Sequence, residues 1–110
     1  MPLGFIKPGQ EASIHPSALD VAWVAGLFEG EGTAGRSGGS NGSGTEHVSI
    51  AQKDREILDR CKGLFGGNVH SGGNVWHWRA SGARGRGFLM TIYPFLSQRR
   101  KVQAKLALGL

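Results

Sequence analysis

A chain of 110 residues has room for one compact core and not two, since independent domains typically run to about 100 to 150 residues. Hydrophobic residues make up 39% of it in short blocks, which excludes a membrane span of about 20 apolar residues and gives no secretory leader; an intracellular, cytoplasmic or organellar setting is expected. Cys61 is the only cysteine, so an internal disulfide and a cysteine-based zinc site are excluded, and the net charge of +5 is unevenly spread: every acid lies before residue 60, leaving Arg60, Lys62, Arg79, Arg84, Arg86, Arg99, Arg100, Lys101 and Lys105 unopposed. A nucleic acid is the usual partner for such a field, through neutralised phosphates and released counterions.

Residues 1–16 hold three of the four prolines and read as an extended arm outside the single domain expected over 17–110. Ser17 stands three residues before Asp20, the spacing of a capping box, and Val21, Val24, Ala25, Leu27 and Phe28 follow at helical spacing. The first helix is predicted to run from 17 to 29 or 30 and to stop at Gly30-Glu31-Gly32 through a left-handed turn.

Residues 33–51 read as a hairpin. Its return arm, His47-Val48-Ser49-Ile50, alternates polar and apolar with period two, so one face is buried and the other open. The tip, 37–45, has the Gly/Ser/Asn composition of a flexible loop. Asp54 is placed to cap a second helix bearing Ile57, Leu58, Cys61, Leu64 and Phe65, which Gly66-Gly67 ends. A second hairpin, 68–71 and 75–81, turns at Gly72-Gly73-Asn74 and sends Trp76 and Trp78 to the core side, with His77 and Arg79 opposite. Glycines from 82 to 87 read as a break. A third helix is expected from Phe88 through Phe95, disturbed by Pro94, and a fourth capped by Ser97, with Val102, Leu106 and Leu108 on its apolar side. The order αββαββα is an α+β domain: a four-stranded antiparallel sheet with helices on one face and the other face bare.

The nonapeptide Val24-Ala25-Gly26-Leu27-Phe28-Glu29-Gly30-Glu31-Gly32 resembles the LAGLIDADG motif, with identity at Ala25, Gly26, Leu27 and Gly32. Further likenesses follow in family order: Gln52-Lys53 before the second helix, Leu64-Phe65-Gly66-Gly67-Asn68-Val69 into the second hairpin, and Tyr93-Pro94-Phe95-Leu96 followed by Arg100, Gln103 and Ala104. Together they span residues 18–108. The chain is thus similar to single-motif LAGLIDADG homing endonucleases, whose fold is a curved, saddle-shaped sheet that lies on DNA.

That resemblance implies a homodimer that cuts both strands of a long, near-palindromic duplex with Mg²⁺ or Mn²⁺, and no membrane partner. It places the metal on Glu31, beside Gly30, and the supporting catalytic roles on Gln52 and Arg100, with Lys101 in Arg100's place if the register slips by one. The dimer interface it implies comprises Trp23, Ala25, Gly26, Phe28, Glu29 and Gly30. DNA contacts are expected from Thr33, Ser37, His47, Ser49, Lys53, His70, His77, Arg79, Arg84 and Arg86. A curved two-stranded ribbon fits the major groove, where alternate side chains reach base edges.

Physical reasoning gives the motif the same two tasks. Gly26 and Gly30, one turn apart, leave a smooth stripe for a close-packed helix. Glu29 and Glu31 add negative charge at the negative end of a helix dipole, which a bound cation would relieve. Both motif acids are Glu where the family more often has Asp, placing the carboxylate about 1.5 Å further out. Arg100 stands in place of a commoner lysine and presents a planar fork instead of a point charge. These departures motivate one alternative, a non-cleaving DNA-binding regulator; the resemblance itself implies another, an intron RNA maturase, the one reading in which RNA is the partner.

Overall fold

The computed structural model describes residues 16–38 and 44–110. The arm predicted over 1–16 therefore lies outside the described residues except for Pro16, and the hairpin tip does so over 39–43.

The Ser17 hydroxyl accepts the Asp20 backbone N–H at 3.1 Å, and the Asp20 carboxylate accepts the Ser17 N–H at 2.9 Å, closing the capping box that starts α1 (Ala18–Glu31). Helix α1 runs past the predicted stop. Gly30 and Glu31 are helical, and Gly32 leaves in extended backbone at φ −85°, not through a left-handed turn. Glycine is needed at 32 for space: a Cβ there would overlap the buried Phe28 ring.

The chain then forms β1 (Gly32–Ser37), β2 (Thr45–Gln52), α2 (Arg55–Phe65), β3 (Asn68–Gly72) and β4 (Val75–Ser81). It finishes with α3 (Gly82–Ile92), a 3₁₀ turn (Tyr93–Phe95) and α4 (Gln98–Leu108). The strands make one antiparallel sheet in the order β1-β2-β4-β3. Val48, Ile50, Trp78 and Ala80 point under the helices and are buried with Val24, Phe28, Leu58, Phe88, Leu89 and Ile92. Phe88 sits at the centre, with ring centroids 4.9 Å from Trp78, 5.2 Å from Phe65 and 5.8 Å from Phe28. Trp78 Nε1 donates to the Gly66 carbonyl at 2.7 Å, tying the end of α2 to β4. Gly66 and Gly67 have φ of 75° and 90°, a pair of left-handed residues that glycine alone takes at little steric cost. Trp76 is only half-buried, with the Arg55 guanidinium 4.6 Å from its ring centroid.

Two further elements differ from the sequence expectation. The expected break over 82–87 is the first half of α3, because Gly85 lies flat against β4, where a Cβ would come 2.9 Å from the Ala80 carbonyl oxygen. Helix α4 is turned from its expected face: Ala104, Ala107 and Leu108 are buried, whereas Val102 and Leu106 are exposed. Small side chains let α4 approach the sheet, and Arg36 on β1 fastens it by donating to the Ala107 carbonyl at 3.0 Å. Pro94 ends α3 at Ile92, which leaves Phe95 outside the helix and exposed.

Candidate nucleic-acid interface and metal centre

Strand parity separates the two faces of the sheet. Partners Thr33↔Ser49, Ser49↔Arg79 and Asn68↔Arg79 form a row across all four strands on the face away from the helices. Gly35–His47–Ser81 and Ala51–His77–His70 run parallel to it. Seven residues expected to contact DNA (Thr33, Ser37, His47, Ser49, His70, His77 and Arg79) thus share one face. The alternation in β2 and β4 set that outcome, and the same parity adds Thr45, Asn68 and Ser81. The histidines lie low on it: His70 and His77 stack at 5.4 Å, and a Cβ on Gly35 would sit 3.0 Å from the His47 ring.

Lys53 is exposed just beyond the end of β2. The arginines expected beside it depart from the sheet face. Arg84 and Arg86 stand on α3, and Arg86 turns to the helix side, 3.6 Å from the Glu46 carboxylate, which Arg36 also binds at 3.1 Å. Glu46 is buried among the described residues, and a buried carboxylate needs such cationic partners. Arg86 thus faces Glu46 and not the row of open-face residues.

The other end of the β1–β2 ladder adjoins the C-terminus of α1. Glu31 precedes Gly32, whose partner is Ile50, so it reaches the corner where Gln52 ends β2. Glu31 is exposed and Gln52 half-buried. Arg100 enters the same corner from α4. Its Nε donates to the Glu29 carbonyl at 3.0 Å and its Nη1 to the Gly32 carbonyl at 2.8 Å and to Gln103 Oε1 at 2.9 Å. Those bonds cap the C-terminus of α1 and fix the backbone on both sides of Glu31. Lys101 packs with its Nζ 5.5 Å from the Tyr93 ring centroid.

Glu29 does not face the end of its own helix. Its carboxylate caps α4, accepting the Ser97 N–H at 2.8 Å and the Ser97 hydroxyl at 2.7 Å. The backbone bond first, then the hydroxyl bond and the charges of Arg100 and Arg99, hold its pKa below the usual glutamate range. Its charge sits at the positive end of α4, which removes the unfavourable dipole placement inferred from sequence.

Among the described residues, no group of three or more His, Cys, Asp or Glu side chains comes together to hold a metal. The Glu31 carboxylate and the last-turn carbonyls of α1, Gly30's included, are hard oxygen donors of the kind Mg²⁺ takes, since that ion commonly binds through one or two carboxylates plus substrate phosphates.

The α1 surface divides cleanly. Val24, Ala25 and Phe28 are buried in the chain's own core, so Ala25 and Phe28, expected at a dimer interface, are corrected to core residues: they lie on the stripe facing the sheet. Ala22, Gly26 and Gly30 are exposed on the opposite stripe, and a Cβ on either glycine would meet nothing within 4 Å. Trp23 is half-buried, covered by the Arg60 guanidinium 3.9 Å from its ring centroid.

No protein-family model and no curated protein matches the sequence. Solved structures do match it. The homing endonuclease I-CvuI, in complex with its target in the presence of calcium, aligns with a TM-score of 0.68 at 22% identity over 82% of this chain and 64% of that one. The same enzyme with the I-CreI target and magnesium aligns at 0.66 and 23%, over 82% and 64%. The archaeal intron-encoded homing endonuclease I-Vdi141I, complexed with DNA, aligns at 0.63 and 20%, over 79% and 65%. The chain has the LAGLIDADG homing-endonuclease fold. The chain spans less than two thirds of the length of the I-CvuI and I-Vdi141I chains. Among the described residues no helix is long and apolar enough to cross a membrane.

Proposed function

We propose that the chain belongs to the LAGLIDADG homing endonucleases and is a site-specific DNA endonuclease that acts as a homodimer with divalent metal, residues 17–110 forming the working domain. The observation that carries this reading is the open sheet face that presents Thr33, Ser49, His47, His70, His77 and Arg79, with the end of α1 and Arg100 joined at the Gly32 edge of that sheet. I-CvuI and I-Vdi141I, which share the fold, were solved on DNA, the former with calcium or magnesium.

The open face lies in the major groove and reads bases, with Lys53 toward the backbone. Glu31, with the Gly30 carbonyl, would hold Mg²⁺ or Mn²⁺, which when bound would supply Lewis-acid neutralisation of phosphate charge and an activated water. Gln52 orients water at that corner. Arg100 keeps the end of α1 in place through Nε and Nη1, while its Nη2 donors stay available to a phosphate, and Lys101 takes that role if the register slips by one.

Dimerisation follows from the exposed stripe. Glycine costs a helix interior about 1 kcal/mol relative to alanine, yet neither Gly26 nor Gly30 is required by a neighbour within the chain. A second α1 packed along Ala22, Gly26 and Gly30 makes use of that smooth surface, with Trp23 and Glu29 at its margin. Two-fold pairing joins two Glu31 corners, one for each DNA strand, and asks for a near-palindromic target.

One observation favours a second reading, a DNA-binding regulator without cleavage: Arg100 directs three N–H bonds to oxygens of its own chain, which anchors the guanidinium beside α1. Selection of duplexes from a randomised library, with and without Mg²⁺, separates the two. The endonuclease yields cut, near-palindromic products only with metal; the regulator yields bound, uncut ones under both conditions.

A further inference from the structure

Four of the eight described arginines are paired with acids: Arg36 and Arg86 share Glu46, Arg55 meets Asp59 and Arg60 meets Asp20. Arg100 is held by three oxygens. Of the remaining three, Arg79 and Arg84 line one cavity of about 320 Å³ where the Asn68 end of β3 and the Ser81 end of β4 meet α3. Neither has an ion-pair partner among the described residues, and Arg84 makes a single side-chain hydrogen bond, to the Phe65 carbonyl at 3.3 Å. The cavity is also lined by Asn68, His70 and Ser81, and no carboxylate lines it.

We infer that this cavity is a phosphate pocket, built to take one backbone phosphate of a DNA duplex lying on the open sheet face. Two guanidiniums without counter-ions repel each other, and an oxyanion between them removes that repulsion while accepting several charge-assisted hydrogen bonds. The amide of Asn68, the hydroxyl of Ser81 and a ring N–H of His70 supply neutral donors around it. Its location favours a duplex over a free anion. Asn68 and Arg79 are cross-strand partners in the row that spans the open face, so the pocket opens at the rim of the surface where the bases are read. Arg84 reaches that rim from the helix layer, where it has access to the strand backbone and not to base edges. This assignment rests on the reading of the open face as the DNA-binding surface.

The test measures binding of the full chain to duplexes of several sequences across a salt series, for the parent, Arg84→Gln and Arg84→Lys, with thermal melts confirming that each is folded. A single phosphate contact contributes about 0.9 to the slope of log affinity against log salt. Arg84→Gln is expected to weaken every duplex by the same factor and to lower the slope by about that amount. Arg84→Lys is expected to keep the slope. An unchanged slope and affinity in Arg84→Gln overturns the pocket while leaving DNA binding intact, and a loss confined to certain sequences overturns it in favour of a base contact. If the parent itself binds no duplex, the underlying reading of the open face fails and takes the backbone source with it. Titration with inorganic phosphate, followed at the His70 ring by NMR, then decides the anion chemistry: a shift abolished in Arg84→Gln supports a free-phosphate pocket, and no shift ends the proposal.

Discussion

The Glu29 carboxylate on α1 accepts both the backbone N–H and the hydroxyl of Ser97, so an acid of the motif starts the last helix of the chain. Arg100, one turn into that helix, returns bonds to the Glu29 and Gly32 carbonyls. The two helix ends cap each other, and Glu31 is suspended between them.

This reciprocal cap makes the fold sensitive to acid. Glu29 has its folded-state pKa below the ordinary value of 4.5, chiefly through the Ser97 backbone bond. Its contribution is therefore fully present above the unfolded value and disappears as pH falls through the lowered folded value. Urea unfolding of the parent and Glu29→Gln, compared across pH, is expected to show a gap at neutral pH that closes under acid conditions below 4.5. A gap independent of pH would assign Glu29 no ionised role.

Burial pushes the Cys61 thiol up to about 12, against a small lowering by Arg60. The thiolate is the reactive form, so the folded chain is expected to resist a disulfide reagent at pH 8 and to react only as it unfolds. Rapid stoichiometric labelling under native conditions would show that α2 opens where the core appears closed.

Two glycines of the motif should respond in opposite ways. Gly32→Ala drives a Cβ into the buried Phe28 ring, and overpacking of this kind costs roughly 1–3 kcal/mol. Gly26→Ala meets nothing within the chain and is expected to stabilise the monomer by up to about 1 kcal/mol through helix propensity. The same change should weaken self-association, and Gly26→Leu should abolish it. Denaturation and sedimentation velocity read these effects separately; undiminished association in Gly26→Leu would place the interface away from this stripe.

Trp78→Phe keeps most of the ring packing and removes the Nε1 donor from the buried Gly66 carbonyl. An acceptor left unsatisfied costs about 1–3 kcal/mol, to be measured by chemical denaturation. A smaller loss would mean that water replaces the indole.

Much of this architecture was legible before any coordinates. Ser17 and Asp20 announced α1 because capping is a local exchange, and the alternation His47-Val48-Ser49-Ile50 assigned faces because strand parity is strict. What stayed hidden depends on contacts distant in sequence. Gly85 looked like a breaker because its fit against the Ala80 carbonyl is tertiary. Val102 and Leu106 misled because close approach to the sheet favours Ala104 and Ala107. The bonds from Arg100 to carbonyls of α1 and β1 some 70 residues earlier, and the approach of Arg86 to Glu46, have no local signal in the sequence either. The Arg79–Arg84 cavity carried no motif at all, since it joins a strand to a helix whose start was not recognised.

The central claim is that Glu31 holds the metal for hydrolysis of both strands of a duplex read by the open sheet. Its most direct test incubates the site recovered from a randomised library with parent and Glu31→Gln proteins in Mg²⁺, scoring binding and strand scission in the same reaction. The predicted result is double-strand cleavage by the parent, and binding of similar strength without scission by the variant. Cleavage by Glu31→Gln at the parental rate, or binding by the parent with no scission in Mg²⁺ or Mn²⁺, would contradict it.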